Sequence, residues 1–253
     1  MLLCIDIGNT NTVLATFEGE RLVHSWRVKT DPDATSDELG LLYRGLLAGD
    51  AVDITGVAAC STVPAALRSL RRMLERYYPA VPTLIVEPGV RTGVQLAVEN
   101  PKEVGTDRVV NTLAAFAMYG GPSIVVDVGT TTTFDVISAR GEFLGGAFTP
   151  GIQIAFDALA NRAAQLRKVE PAKPSSAIGK NTVECLQAGM YFGYAGLIDR
   201  VVERMTGELG PLRAVIATGG LAPVVLDECR TITHHEPWIT LIGLRMVYAR
   251  NQS

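Results

Sequence analysis

One short pattern occurs twice in this chain. Asp6-Ile7-Gly8-Asn9-Thr10-Asn11-Thr12-Val13 reads against Asp127-Val128-Gly129-Thr130-Thr131-Thr132-Thr133-Phe134, with the Asp, the Gly and two Thr coinciding at an offset of 121 residues. The flanks agree in kind. Short apolar runs, Leu2 to Ile5 and Ile124 to Val126, precede each Asp, and β-forming residues, Val13 to Phe17 and Phe134 to Ile137, follow each Thr cluster. Polar turns come next, at Glu18 to Arg21 and Ala139 to Glu142. Each copy therefore predicts strand, tight turn, strand, turn, strand. A single D-x-G-x-T match is weak, but two at the heads of equal-sized halves point to a duplicated domain.

Helical periodicity follows each β section. Ser36 to Leu47, Pro64 to Tyr78 and Thr106 to Met118 predict helices in the first half. Gly151 to Val169, Asn181 to Met205 and a last helix near Ile239 to Arg250 follow in the second, with a short strand at Val215 to Ala217. Strands followed by alternating helices and strands predict an α/β fold, a mixed sheet covered by helices, in each half. Gly and Pro punctuate the chain at Tyr119 to Pro122, which places the domains at 1–119 and 120–253.

The chain has 253 residues, 47% of them hydrophobic and 19% charged, enough apolar material for a packed core. Net charge is −3, against the basic excess of a nucleic-acid-binding face, so no nucleic acid is expected as partner. No run reaches the roughly 18 apolar residues of a membrane span, and the N-terminal residues lack the pattern of a signal peptide. Cys4, Cys60, Cys185 and Cys229 form no C-x-x-C pair and read as reduced thiols of a cytoplasmic protein.

A carboxylate at a strand end, followed by Gly and small hydroxyl residues, outlines a phosphate and cation site. Gly8 and Gly129 allow close backbone approach, and turn amides form an anion nest. The side chains of Asn9, Thr10, Thr12, Thr130 and Thr131 can donate to phosphate oxygens. Asp6 and Asp127 would repel phosphate, so a neutralising cation is implied. For either loop alone, the competing reading is a hairpin with an Asx-turn. Thr218-Gly219-Gly220, after a strand, would let a flat base or ribose press on backbone. In Gly105-Thr106-Asp107-Arg108, Asp107 is either a helix cap or a general base beside a substrate hydroxyl, and Arg108 could pair with a carboxylate. His234 and His235 read as surface loop, and Arg68, Arg71, Arg72 and Arg76 as a solvated helix face.

Taken in order, these motifs, with Gly145 to Gly151 and Gly179-Lys180-Asn181-Thr182, resemble type III pantothenate kinases over essentially the whole chain. The resemblance implies the actin, Hsp70 and sugar-kinase fold, two ribonuclease-H-like halves with ATP in the cleft between them. It implies ATP-dependent phosphorylation of pantothenate, the first step of coenzyme A biosynthesis. Under it, ATP contacts fall to Asp6, Ile7, Gly8, Asn9, Thr10, Asn11, Thr12, Val13, Thr130, Gly219 and Gly220. Asp107 is the catalytic base, and Gly105, Thr106, Asp107, Arg108 and Thr182 contact pantothenate. Asp127 is the ligand of a monovalent cation, K⁺ or NH₄⁺, Mg²⁺ accompanies ATP, and the protein is a homodimer. Three positions depart from the common pattern: Val98 stands where many relatives have an aromatic residue, Thr106 is often Ala, and the second loop has an extra Thr. Two rival readings are a kinase of another small alcohol, such as a sugar, and a non-catalytic regulatory relative acting through protein contacts.

Overall fold

The computed structural model describes residues 1–48, 53–162 and 169–252. Two compact units divide the chain, and each draws on separated segments. The first comprises Met1–Gly93, Asn100–Ala114 and Ile239–Ser253; the second comprises Val94–Glu99 and Ala115–Trp238.

In the first unit, β1 (Leu2–Ile7), β2 (Asn11–Glu18) and β3 (Arg21–Lys29) form an antiparallel meander. After α1 (Ser36–Ala48), β4 (Gly56–Ser61) pairs parallel to β1, and after α2 (Pro64–Tyr77), β5 (Thr83–Ile85) pairs parallel to β4. The sheet order is β3-β2-β1-β4-β5. A central strand buried on both faces reads as a nearly continuous apolar run, and Leu3, Cys4, Ile5 and Ile7 of β1 are all buried. Leu3, Ile5 and Ile7 pack with Tyr43 and Leu47 of α1 and with Leu70 and Met73 of α2. Each such side chain contributes roughly 1.5–3 kcal/mol by leaving water. Side chains alternate along a strand, so Cys4 and Asp6 point to the opposite face.

That face is where α3 (Thr106–Tyr119) and α7 (Ile239–Gln252) belong. α7 packs across β1 and β4. The two helices approach so closely that a Cβ on Gly243 would collide with the carbonyl of Val110, and Thr240 Oγ1 donates to Asn111 Oδ1 at 2.8 Å. The last helix of the chain therefore completes the first sheet, which no single cut at 119/120 anticipates.

The second unit repeats the plan. β6 (Ser123–Val128), β7 (Thr131–Ile137) and β8 (Phe143–Pro150) form the meander. β9 (Ala214–Thr218) pairs parallel to β6, and β10 (His234–His235) parallel to β9, giving the order β10-β9-β6-β7-β8. Matched strand for strand, the two sheets have the same order and the same sense at every pairing. Val94–Glu99 joins this unit because Leu96 bridges Phe143, with bonds from Ala97 N to Phe143 O and from Phe143 N to Gln95 O, each 2.9 Å. α4 (Ile152–Arg162), α5 (Thr182–Leu209) and α6 (Ala222–Val225) complete the unit. Phe156, Met190, Ile198 and Val202 pack with Ile124, Val126 and Phe134.

Register refines the internal repeat. Ile7 faces Thr12, whereas Val128 faces Thr132. The second turn is thus one residue shorter, and beyond it the structural offset is 120, not 121. Thr12 corresponds to Thr132 and Leu14 to Phe134, all buried. The helix expected to reach Val169 is described as far as Arg162; residues 163–168 lie outside the described residues. His234 and His235 are exposed, as a surface loop would be, yet they form an edge strand, because β9 offers them a free parallel edge.

Candidate active site

In the first unit the turn between β1 and β2 is closed by Gly8 N donating to Asn11 O at 3.1 Å. Thr30, just past β3, donates its amide to Thr10 O at 3.0 Å and its hydroxyl to Gly8 O at 2.7 Å. Ile7 O accepts from Thr62 N at 3.1 Å. Asn9 and Thr10 are exposed at the tip, while Ile7 and Thr12 are buried. The Thr12 hydroxyl lies 2.9 Å from Thr30 Oγ1, so it belongs to the support of the turn.

Asp6 leaves the sheet on the side of α3, and Asp107 lies in the first turn of that helix. Burial, then the negative charge of Asp107, pushes the Asp6 carboxyl up to about 7, against the opposing effects of the Cys60 hydrogen bond and Arg27. Cys60 sits directly opposite Asp6 on β4, and its thiol donates to Asp6 Oδ1 at 3.4 Å. Burial also raises Asp107, while the amides of Arg108 and Asp107 and the Arg108 charge hold it down. Asp107 Oδ1 is buried with no hydrogen-bond partner among the described residues, as is Thr106 Oγ1. Asp107 is thus a first-turn residue of α3, not its cap, and its Oδ1 has no partner in the fold among the described residues. Gly105 leaves room beside it: a Cβ there would press on Asp107 Oδ1 and oblige that side chain to turn. Gly105 O accepts from Arg108 N at 3.1 Å, which starts α3.

In the second unit Asp127 is the penultimate residue of β6, as Asp6 is of β1, and Gly129 N donates to Thr131 O at 3.2 Å. Gly151, the counterpart of Thr30, donates its amide to Thr130 O at 3.1 Å. A Cβ on Gly151 would collide with the carbonyl oxygens of Thr130 and Gly129. Gly219 has φ +93°, and a Cβ there would collide with Asp127 Oδ1 and the Val128 carbonyl. Thr218, in register with Asp127, is buried, and Gly220 is exposed. Asp127, Gly129, Thr130 and Gly219 are therefore gathered at one sheet end, in a cradle whose walls are bare backbone. Of the carbonyls near this cradle, Thr130 O accepts from Gly151 N and Val128 O from Leu221 N, each at 3.1 Å. Among the described residues no cluster of three or more His, Cys, Asp or Glu could hold a metal ion.

Thr182 is the exposed first residue of α5; the cap is Asn181, whose side chain accepts from Glu184 N at 3.0 Å. Val98 lies near Gly145, with Cγ1 3.7 Å from where a Cβ on that glycine would stand. Two residues beside the first turn escaped sequence reasoning. Cys60 read only as a buried thiol, although one residue before Ser61 at a parallel strand end is the place for a neighbour of Asp6. Thr30 could have been found from the β2–β3 register, which places Lys29 opposite Asn11.

Comparison with known proteins gives a consistent answer. The sequence profile of the type III pantothenate kinase family matches residues 2–204. A type III pantothenate kinase from Salinispora arenicola is 79% identical over 251 residues, 99% of this chain and 100% of that one. Among solved structures, the activator of 2-hydroxyisocaproyl-CoA dehydratase from Clostridium difficile, with bound ADPNP, superposes at TM-score 0.58 with 13% identity, covering 99% of this chain and 94% of that one. A ROK hexokinase from Thermus thermophilus gives TM-score 0.55 with 15% identity, covering 99% of each. At such identities these two show the fold alone, a duplicated α/β architecture.

Proposed function

The chain belongs to the type III pantothenate kinase family, and from that premise we propose a residue-level account of how it phosphorylates pantothenate with ATP to begin coenzyme A biosynthesis. Asp107 is the general base. The observation that carries this role is its buried, unpartnered Oδ1, on a carboxylate near enough to Asp6 for its charge to raise that group. Phosphoryl transfer passes through a loose transition state, so alignment and charge neutralisation matter more than a strong base. Asp107 orients the pantothenate hydroxyl and takes its proton as that oxygen bonds to the γ-phosphorus and ADP leaves. Desolvation favours proton uptake by this carboxylate, which suits the task.

In the first unit, Asp6 to Val13 provide the nucleotide turn, and Gly105, Thr106 and Arg108 contact pantothenate, Arg108 through its planar fork to the carboxylate. In the second unit, Thr130, Gly219 and Gly220 are assigned to ATP and Thr182 to pantothenate. Mg²⁺ would accompany the ATP phosphates and Asp127 would hold K⁺ or NH₄⁺; bound, these ions would offset phosphate charge. The homodimer is part of the same reading, and the exposed Phe148, Ile154 and Ile178 of the second unit suit a covered surface. Cytoplasmic location suits the free thiols of Cys4, Cys60, Cys185 and Cys229. No helix among the described residues is long and apolar enough to cross a membrane. A panel of acceptors with ADP release as readout tests the substrate: release that follows pantothenate supports the account, and release that follows a sugar overturns it.

A further inference from the structure

Thr30 touches the first turn at three points. Its amide donates to Thr10 O and its hydroxyl to Gly8 O, at 3.0 and 2.7 Å. With its single proton given to Gly8, that hydroxyl is the acceptor in the 2.9 Å contact with Thr12 Oγ1. Thr30 is 6% exposed, so these bonds are largely screened from competing water.

The second unit provides an internal control. Gly151 makes the same amide bond, to Thr130 O, and has no side chain. The backbone bond is thus common to both hairpins and belongs to their fold. The hydroxyl bond is an addition at the first turn alone, and a second hairpin of the same plan closes without it.

Its consequence follows from peptide geometry. Gly8 C=O and Asn9 N–H share one planar trans peptide and point in opposite directions. Drawing Gly8 O inward onto Thr30 aims the Asn9 amide outward, at the exposed tip of the turn. An outward amide attracts phosphate; the flipped peptide would present a carbonyl and repel it.

We propose that Thr30 is a positioning residue for phosphoryl transfer, its hydroxyl locking the Gly8–Asn9 peptide in the orientation that receives the ATP phosphates. This inference rests on the reading of Asp6 to Val13 as the nucleotide turn. Thr30→Val keeps the side-chain shape and removes the hydroxyl. Steady-state kinetics should show the KM for ATP rising about five- to tenfold, the KM for pantothenate staying within about twofold, and Thr30→Ser restoring the wild-type value. A lower melting temperature with both KM values unchanged would mean a merely structural role and would overturn the proposal. If Thr30→Val does not fold, Thr30→Ala is read in the same way. Hydrogen exchange in the wild-type enzyme separates the two layers. ATP-dependent protection of the amides of residues 8–12 is expected. Its absence refutes the nucleotide turn itself; its presence, unchanged in the Thr30 variant, refutes only the role of Thr30.

Discussion

The two turns that end β1 and β6 share one backbone plan and are finished with opposite materials. At the first, side chains do the work: Thr30 and Thr12 brace the turn, Cys60 donates to Asp6, and Asp107 brings a second carboxylate. At the second, side chains are absent: Gly129 and Gly219 lie against Asp127, and Gly151 against the carbonyls of Thr130 and Gly129. A duplicated hairpin thus became two unlike sites without a change in sheet order. A braced turn with a raised carboxylate pair suits proton transfer beside phosphates. The glycine-walled carboxylate is the one to which we assign the monovalent cation.

The largest effect should come from the carboxylate found at only one of the sites. Asp107→Asn should lower turnover about a thousandfold or more, with the KM for ATP nearly unchanged, as measured by coupled ADP release. Next in size is the packing asymmetry. Gly151→Ala forces a methyl group against two backbone carbonyls and should destabilise the fold by roughly 1–3 kcal/mol in denaturant unfolding. Thr30→Ser, at the equivalent position, should stay within about 0.5 kcal/mol of wild type. Equal losses at the two positions would erase the contrast.

A smaller effect separates the two aspartates. Activity should be low in Na⁺ alone and restored by K⁺ or NH₄⁺, and Asp127→Asn should narrow that ratio to about twofold or less. A wild-type enzyme indifferent to the cation would remove the role of Asp127. The smallest effect is in the pH dependence of the apo protein. The Asp6 carboxyl is raised from 3.8 to about 7, so the folded state holds its proton more tightly than the unfolded chain does. Its contribution to stability is therefore full below pH 3.8 and is lost as the pH rises through about 7. Melting temperatures of wild type and Asp6→Asn, compared across that window, should diverge as pH rises, with the wild type losing ground.

Much of this was legible in sequence because it is local. Asp-x-Gly-x-Thr between two β-forming runs announces a hairpin, its recurrence announces the duplication, and apolar periodicity announces the helices that follow. What escaped depends on distant contacts. Cys60 and Thr30 meet the first turn only through strand pairing, and the one-residue difference between the turns is visible only in register. The domain limits escaped for the same reason: α7 returns to β1 and β4 from the far end of the chain, and nothing in its own residues says so. Asp107 shows the middle case. Its position marks a helix start in the sequence, whereas the burial of its unpartnered Oδ1, on which we base its proposed role, is visible only in the fold.

The central claim is that this chain moves the terminal phosphoryl group of ATP onto pantothenate, with Asp107 serving the acceptor hydroxyl. ADP release under ATP, Mg²⁺ and K⁺, with and without pantothenate, tests it most directly when paired with detection of phosphorylated pantothenate. The account predicts one ADP per pantothenate converted and only background release without it. Equal release with and without pantothenate, or no phosphorylated product, would contradict it.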